Sequence, residues 1–286
     1  MIDIIRQKLS QYNAVNALEV ENALKEILQE IALHALWRAD FFDTSLFQGG
    51  TCLRILHGLP RFSEDLDFIL RTPDPDFELQ PYLKTLSEVF DQFGLQLEVV
   101  SKERMDSVIR EAVLKDNSIA RQLDLSFADG RQKTIKIKLE IDTNPPEGSG
   151  EDTTYLDFPT DYEVRHQDLP SNFALKIHAL LCRPYVKGRD WFDFSWYVAR
   201  GVRPNLNLLS AALRQKGPWA GQTDLQVDMD WVHAALTNRI DAIVWSDAAE
   251  DVRRFLRPSE AKSLDLWSAR FFHARAQKLH QDFHRS

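Results

Sequence analysis

The sequence predicts an α+β fold, in which a mixed β-sheet flanked by helices is followed by a carboxyl-terminal helical domain. Apolar and charged residues alternate over 133–143, as is typical of a half-buried strand, whereas apolar residues recur at helical spacing from about residue 171 onward. A Pro- and Gly-rich stretch at 144–150 separates the two patterns. We therefore predict two domains, residues 1–160 and residues 161–286.

Helices precede and interrupt the predicted sheet. Apolar residues at i, i+3, i+4 and i+7 share one face of a helix predicted over 14–38, which we interpret as a packing helix without chemistry of its own. Gly49 and Gly50 lead into a short helix that ends before Pro60. A further amphipathic helix is predicted over 77–93.

The strands are predicted from alternation and from turn signals. The first candidate is Asp65–Leu70, and residues 95–101 and 119–127 follow it. An Asp-Gly turn signal at 129–130 leads into the strand at 133–143, which predicts a hairpin between the last two strands. The clean alternation in the last strand indicates that it packs on one side and exposes charge on the other.

Composition and charge bound the class of protein. The chain has 286 residues, of which 44% are hydrophobic, so it can bury a sizeable core. Cys52 and Cys182 show no metal-ligand spacing, which favours a reducing compartment and no disulfide framework. The amino terminus lacks a signal-peptide pattern, and no apolar run approaches the roughly 20 residues that span a bilayer. We expect a cytoplasmic protein with no membrane partner.

The formal net charge of -8 argues against a protein that coats nucleic acid non-specifically, because such proteins are basic. An enzyme that holds one end of an RNA through a local basic patch stays compatible with this charge. Two groups of basic residues could supply such a patch: Lys133, Lys136 and Lys138, and Arg183, Lys187 and Arg189.

Residues 48–70 carry the most informative chemistry, because a glycine pair there precedes two carboxylates at i and i+2. Asp65 and Asp67 on a strand point to the same face. Two like charges at this separation repel, so a cation between them is favourable. Hard oxygen ligands suit Mg²⁺ or Mn²⁺, and a nucleoside triphosphate (NTP) is the substrate that such a metal carries.

Nucleotidyl transfer needs metal ions, backbone donors near the phosphates and a third carboxylate from a neighbouring strand. Gly49 and Gly50 supply a turn without Cβ obstruction, and Thr51 supplies a hydroxyl that could reach a phosphate. Glu140 and Asp142 share one face of their strand, so either could complete the metal shell. Glu140 is nearer the strand centre and is our first choice. Each piece alone has a structural explanation, and the order in which they occur is what makes the pattern specific.

In this order the residues resemble a known family. GGTCLRILHGLPRFSEDLDF, at 49–68, is similar to the signature of the AbiEii/AbiGii-type nucleotidyltransferase toxins, within the DNA polymerase β-like nucleotidyltransferase superfamily. The resemblance continues in KIKLEIDTNPP at 136–146 and in ALKIHALLCRPYVKGRDWFDF at 174–194. It implies a nucleotidyltransferase fold and metal-dependent transfer of a nucleoside monophosphate to an acceptor hydroxyl. It also implies a toxin–antitoxin pair that can act in phage defence, with a cognate antitoxin protein and RNA, such as the 3′ end of tRNA, as expected partners.

The resemblance assigns roles in the helical half as well. It implies that Lys176 contacts the triphosphate, and that Arg189, Asp190 and Asp193 complete a nucleotide clamp. Arg189 would contribute directly or would hold Asp190 through a bidentate pair. The structural alternative for Asp190 is a helix N-cap, with the neighbouring acid complementing the helix dipole.

Two residues before the carboxylates are further candidates for nucleotide binding. Ser63 lies two residues before Asp65, so it faces the same side of an extended segment and could bond a phosphate or cap a turn. Arg61 could hold phosphate or the acceptor nucleic acid. Two other function classes stay open: a non-catalytic nucleotide- or partner-binding module of the same fold, and a D-x-D glycosyltransferase, whose donor site would not need Lys176.

Overall fold

The computed structural model describes residues 2–101, 108–116, 118, 119, 123 and 134–284. It confirms the predicted α+β class, with a mixed sheet, flanking helices and a helical region toward the carboxyl terminus. The chain divides into two compact units. The first comprises Met1–Gly58, Phe62–Pro145 and Asp152–His166. The second comprises Leu59–Arg61, Pro146–Glu151 and Gln167–Ser286.

The described residues contribute seven strands to one sheet: β1 (Ser45–Gln48), β2 (Asp65–Leu70), β3 (Leu97–Ser101), β4 (Ile109–Asp116), β5 (Ile135–Asp142), β6 (Glu151–Leu156) and β7 (Tyr162–Gln167). Their order in the sheet is β3-β4-β5-β2-β1-β7-β6. β2 runs parallel to β5 and antiparallel to β1, and β4 is antiparallel to both β3 and β5. β2 and β5 therefore lie inside the sheet, paired on both sides.

The helices of the first unit are α1 (Ile2–Gln11), α2 (Ala17–Arg38), α3 (Gly49–His57) and α4 (Gln80–Gln92), with a 3₁₀ turn at Phe41–Asp43. α2 begins after Asn16, whose side chain accepts a hydrogen bond from the amide of Glu19 at 2.9 Å. This N-cap places the helix start three residues after the predicted one. Strand β1 was not predicted because it has only four residues, and β6 because none of its residues is buried. Strand β7 was also missed, although its first four residues alternate between buried and half-buried positions.

The antiparallel partner of β5 is β4, and not the strand predicted over 119–127. Most of 119–127 and the turn signal at 129–130 lie outside the described residues, and the amide of Leu123 donates to the carbonyl of Ile119 at 3.0 Å, a helical contact. β4 was missed because its buried face includes the charged Arg110 and Asp116. Hydrogen bonds to main-chain groups allow these two charged side chains to be buried. Because two of the four buried positions are charged, the sequence of the strand does not show an apolar face.

The second unit is helical in its described part after Gln167. Its helices are α5 (Leu169–Cys182), α6 (Gly188–Ala199), α7 (Leu206–Gln215), α8 (Met229–Asp241), α9 (Trp245–Arg253), α10 (Pro258–Ala261) and α11 (Ala269–His284). Within the helical pattern predicted from about residue 171 onward, residues 258–284 form α10, a 3₁₀ turn at Lys262–Leu266 and α11. Trp191, Trp245 and Phe272 pack ring against ring in the interior. No helix among the described residues is both long and apolar enough to cross a bilayer.

Helix α2 is more polar inside than a simple packing helix. Glu26 accepts hydrogen bonds from the Tyr12 hydroxyl at 2.9 Å and from Arg54 Nε at 2.7 Å. Glu30 is buried beside Lys8, whose Nζ lies 3.2 Å from Oε2. Burial raises the pKa of Glu30 to about 7, against the opposing effect of the Lys8 charge.

The raised pKa of Glu30 predicts a specific pH dependence of stability. A carboxyl group that binds its proton more tightly in the folded protein stabilises the fold at acidic pH, and this stabilisation is lost as pH rises from 4.5 through about 7. Glu30→Gln removes the titration. We expect the free energy of unfolding of this variant, relative to wild type, to increase by about 3 kcal/mol between pH 4.5 and pH 8.

Denaturant unfolding at a series of pH values measures this difference. Glu78→Gln is the matched control, because it makes the same change at an exposed carboxylate. A stability difference between Glu30→Gln and wild type that does not change with pH would contradict the prediction.

Candidate functional site

The parallel pairing of β2 with β5 brings three predicted site residues together in the first unit. Asp67 lies opposite Glu140 in the register, and Asp65 lies opposite Lys138. Residues paired in this way point to the same face of the sheet, and all four side chains are half-buried. Glu140 is therefore the carboxylate of β5 that neighbours the Asp-x-Asp pair.

Asp142 occupies a different environment. It lies opposite Ile69, one step beyond the carboxylates of β2, and its Oδ1 accepts a hydrogen bond from the amide of Asn144 at 2.9 Å. This contact holds the turn that follows β5. The register thus separates the two candidates for the third carboxylate that the sequence left open.

Lys138 is the cation that the structure places on this face. Its Nζ donates to Glu140 and to Glu111, the latter at 3.0 Å. Glu111 comes from β4 and lies opposite Glu140 in that antiparallel pair. Burial opposes the charged form of Lys138, but the hydrogen bonds to Glu140 and Glu111 outweigh it and raise the pKa of the ammonium. Sequence reasoning missed Glu111, because only the pairing of β4 with β5 brings it here.

The donor set on this face can accommodate a hard divalent metal. Asp65, Asp67 and Glu140 offer only carboxylate oxygens, on two adjacent strands and on one face. Mg²⁺ and Mn²⁺ prefer such ligands, whereas softer metals prefer nitrogen and sulfur. The half-buried position reduces the contact of these carboxylates with water.

Helix α3 begins directly beside Asp67. Gly49 opens the helix with φ +76°, a backbone conformation that favours glycine. A Cβ atom at Gly49 would lie 2.5 Å from Oδ2 of Asp67, so only a glycine allows the carboxylate to sit against the main chain. The amino-terminal turn of a helix is a favourable place for a phosphate, since its amides point outward along the helix axis.

Thr51 has a structural role in this geometry. Its side chain is buried, and its hydroxyl donates to the main-chain carbonyl of Asp65. The hydroxyl that the sequence assigned to phosphate contact therefore ties α3 to β2. Ser63 is half-buried just before β2, and its carbonyl accepts a hydrogen bond from Gln29 Nε2 at 3.2 Å.

A second cluster of predicted site residues lies in the second unit. Arg61 donates through Nε and Nη2 to the two carboxylate oxygens of Asp193, each at 2.6 Å, and both side chains are buried. Lys176 Nζ lies 2.8 Å from Asp190 and 2.9 Å from Asp193. Arg183 also pairs with Asp190. The cluster joins α5, α6 and the Leu59–Arg61 segment.

The charges in this cluster support one another. Burial disfavours the ammonium of Lys176, but Asp190 and Asp193 outweigh it and raise its pKa. Burial likewise disfavours the Asp190 carboxylate, but Lys176 and Arg183 outweigh it and lower its pKa. These groups therefore stay ionised at neutral pH. The N-cap position of α6 is held by Lys187, so the N-cap interpretation of Asp190 is wrong.

The remaining predicted arginine has an aromatic neighbour. The guanidinium of Arg189 lies over the ring of Phe255, 4.4 Å from its centroid. The bidentate arginine–carboxylate pair that the sequence suggested for Arg189 and Asp190 occurs between Arg61 and Asp193. A separation of 132 residues along the chain kept that pair from being predicted.

Comparison with known proteins bears on the family and on the fold. A family model described as "Nucleotidyl transferase AbiEii toxin, Type IV TA system" matches residues 31–275. The crystal structure of JHP933 from Helicobacter pylori matches with a TM-score of 0.55 and 18% identity, covering 94% of each chain. The crystal structure of a candidate nucleotidyltransferase from H. pylori matches with a TM-score of 0.51 and 17% identity, covering 90% of this chain and 93% of that one. At these identities the shared property is the fold. No curated protein matches the chain.

The contact between Gly49 and Asp67 can be tested with two matched substitutions. Gly49 and Gly58 both have positive φ, +76° and +72°, but a Cβ at Gly58 would meet nothing within 4 Å. Gly58→Ala should cost about 1–2 kcal/mol for the left-handed backbone alone. Gly49→Ala should cost a further 1–3 kcal/mol or so, because the new methyl group must displace the Asp67 carboxylate.

Denaturant unfolding of both variants measures the difference in their free energies of unfolding. Equal losses of stability at the two positions would show that Asp67 does not pack against Gly49 as described.

Proposed function

The chain belongs to the AbiEii nucleotidyltransferase toxin family, and from this premise we propose that it transfers a nucleoside monophosphate from an NTP to an acceptor hydroxyl, releasing pyrophosphate. The family predicted from the motifs is thereby confirmed, and its model extends over 31–275. The observation that carries the proposed reaction is the register of β2 and β5, which sets Asp65, Asp67 and Glu140 on one face beside the start of α3.

In this proposal Asp65, Asp67 and Glu140 hold Mg²⁺ or Mn²⁺. The metal, when bound, would neutralise charge on the triphosphate and lower the pKa of the attacking hydroxyl. The amino-terminal turn of α3 binds phosphate through main-chain amides, and Gly49 lets the Asp67 carboxylate lie against that turn. Lys138 positions Glu140 through the hydrogen bond between them, with Glu111 holding the other side of the ammonium.

The cluster around Lys176 receives a positioning role. Lys176 bonds two buried carboxylates, so at most one of its three ammonium protons is left for a direct contact with a triphosphate. Arg61 donates to both carboxylate oxygens of Asp193 in the same way, so this pair also holds its two side chains in place. We propose that these residues fix α5 and α6. The family resemblance also implies triphosphate contact by Lys176, and that role stays a prediction.

The proposed acceptor is RNA, with a tRNA 3′ end as the first candidate. Within the described part of β5, Lys136 is exposed on the same face as Glu140, two pairs along the strand. A positive charge at this position, on the same face as Glu140, can bind a phosphate of the acceptor backbone although the chain as a whole is acidic. The family description places such proteins in type IV toxin–antitoxin systems, so we also propose a cognate antitoxin protein as a partner.

Substitution of the β2 carboxylates tests the reaction. Asp65→Asn and Asp67→Asn should each lower pyrophosphate release by at least about 100-fold, because loss of a metal ligand costs no less than loss of the groups that orient it. Release is measured with each NTP in turn, with Mg²⁺ or Mn²⁺ and total RNA as acceptor. Circular dichroism and thermal unfolding establish that the variants are folded. Pyrophosphate release that persists in either folded variant would contradict the assignment of that aspartate as a metal ligand.

The third ligand is tested by a matched pair on β5. Glu140→Gln should reduce pyrophosphate release to a similar extent, whereas Asp142→Asn should leave most of it, because Asp142 lies opposite Ile69. The opposite ranking of the two variants would assign the third ligand to Asp142. Nucleotide binding by wild type without pyrophosphate release, across a broad acceptor panel, would favour the non-catalytic module instead.

The acceptor is identified by following the α-phosphate. An NTP labelled at that phosphate is incubated with total RNA and either wild-type protein or the Asp67→Asn variant. We expect wild type to label RNA in the size range of tRNA, and the label to resist protease and yield to ribonuclease. Label that yields to protease would replace RNA by a protein acceptor while keeping the transfer reaction.

A further inference from the structure

Helices α8 and α11 of the second unit carry a group of imidazoles around one carboxylate. Nε2 of His280 lies 2.6 Å from Oδ1 of Asp230, and Nε2 of His284 lies 4.0 Å from the same oxygen. The three possible ligand atoms all lie within 4.8 Å of one another. The ring of His233 lies 5.0 Å from that of His280, centroid to centroid.

The helices hold these side chains in place. His280 and His284 are four residues apart on α11, so they project from the same face one turn apart. Asp230 lies in the first turn of α8, and His233 follows it by three residues on the same face. α8 and α11 pack along each other, and each helix carries buried apolar residues. The convergence therefore rests on rigid elements and on packing.

The cluster is accessible from solvent. The Asp230 side chain is 77% exposed, and the side chains of His284 and His280 are 55% and 25% exposed. A dissolved ion can therefore reach all three ligands. His280 Nε2 and Asp230 Oδ1, two of the ligand atoms, already lie 2.6 Å apart, and a bound ion would take the place of the proton that they share.

The donor chemistry selects the kind of ion. Two imidazole nitrogens and one carboxylate oxygen suit Zn²⁺ and its neighbours Ni²⁺ and Cu²⁺, and three protein ligands with one open position are a common zinc arrangement. The carboxylate face of the first unit offers oxygen only and suits Mg²⁺. The two sites therefore differ in the class of metal that they select.

We propose that Asp230, His280 and His284 form a binding site for a divalent transition metal, Zn²⁺ above all, which links α8 to α11. His233 lies beside His280 and outside the proposed ligand set. A metal held by both helices binds the folded protein and not the unfolded chain, so its binding stabilises the second unit by mass action. This site is independent of the nucleotidyl-transfer reaction proposed above.

The test uses full-length protein without a polyhistidine tag, stripped with a chelator and titrated with Zn²⁺ in excess Mg²⁺. Calorimetry should show one equivalent of Zn²⁺ bound per chain. At about 100 times the Kd, the midpoint of thermal unfolding should rise by roughly 5–10 °C. The double variant His280→Gln/His284→Gln should lose this shift and weaken binding by at least about tenfold.

Two further variants make the result specific. His273→Gln removes another imidazole of α11, which pairs with Asp241 at 2.7 Å outside the proposed ligand set, and it should bind Zn²⁺ as wild type does. Asp230→Asn changes the most exposed ligand and should weaken binding even if the double variant fails to fold.

Two outcomes would overturn the proposal. One is wild-type protein that binds no Zn²⁺ under these conditions. The other is one equivalent retained by both the folded double variant and Asp230→Asn. In the second case, a thiolate charge-transfer band with Co²⁺ would move the site to Cys52, His57 and His166, whose ligand atoms also lie within 4.8 Å of one another.

Discussion

The parallel pairing of β2 with β5 is the constraint on which the candidate active site depends. In this register Leu66 lies opposite Leu139, and both are fully buried on the core face. The same register sets Asp67 opposite Glu140 on the other face. A slip of one residue would turn the carboxylates into the core and the leucines outward. The hydrophobic core therefore selects the register, and the register assembles the carboxylates.

Carboxylates that lie close together repel one another, and each unit offsets this repulsion with basic side chains in a different way. On the sheet, Lys138 forms ion pairs with Glu140 and Glu111 at a half-exposed position. Solvent screens these ion pairs, and an incoming ligand can compete for the carboxylates. In the second unit, Arg61 and Asp193 are almost fully buried. Loss of one member of such a buried pair costs about 3–5 kcal/mol, because the other charge stays in the interior. The first arrangement suits binding, and the second suits fixed positioning.

The sequence predicted what is local and missed what depends on distant pairing. The strand Asp65–Leu70 was predicted with its observed bounds, and α3 was predicted to start at the glycine pair, because both rest on neighbouring residues. β4 escaped prediction, since burial of Arg110 and Asp116 depends on carbonyls and amides elsewhere in the fold. The different partners of Glu140 and Asp142 on β2 also required the observed register, because alternation alone places both carboxylates on one face.

The same dependence on pairing explains why the histidine cluster is invisible in sequence. His280 and His284 have the spacing of a helical ligand pair, but a pair on one helix supplies only two ligands. The third ligand comes from α8, 50 residues earlier, and it is brought close only by the packing of α8 along α11. Oxygen-only ligands on the sheet and mixed nitrogen and oxygen ligands on the helices favour ions of different hardness. Under the two proposals, one chain would hold a hard ion on the sheet and a transition metal between the helices.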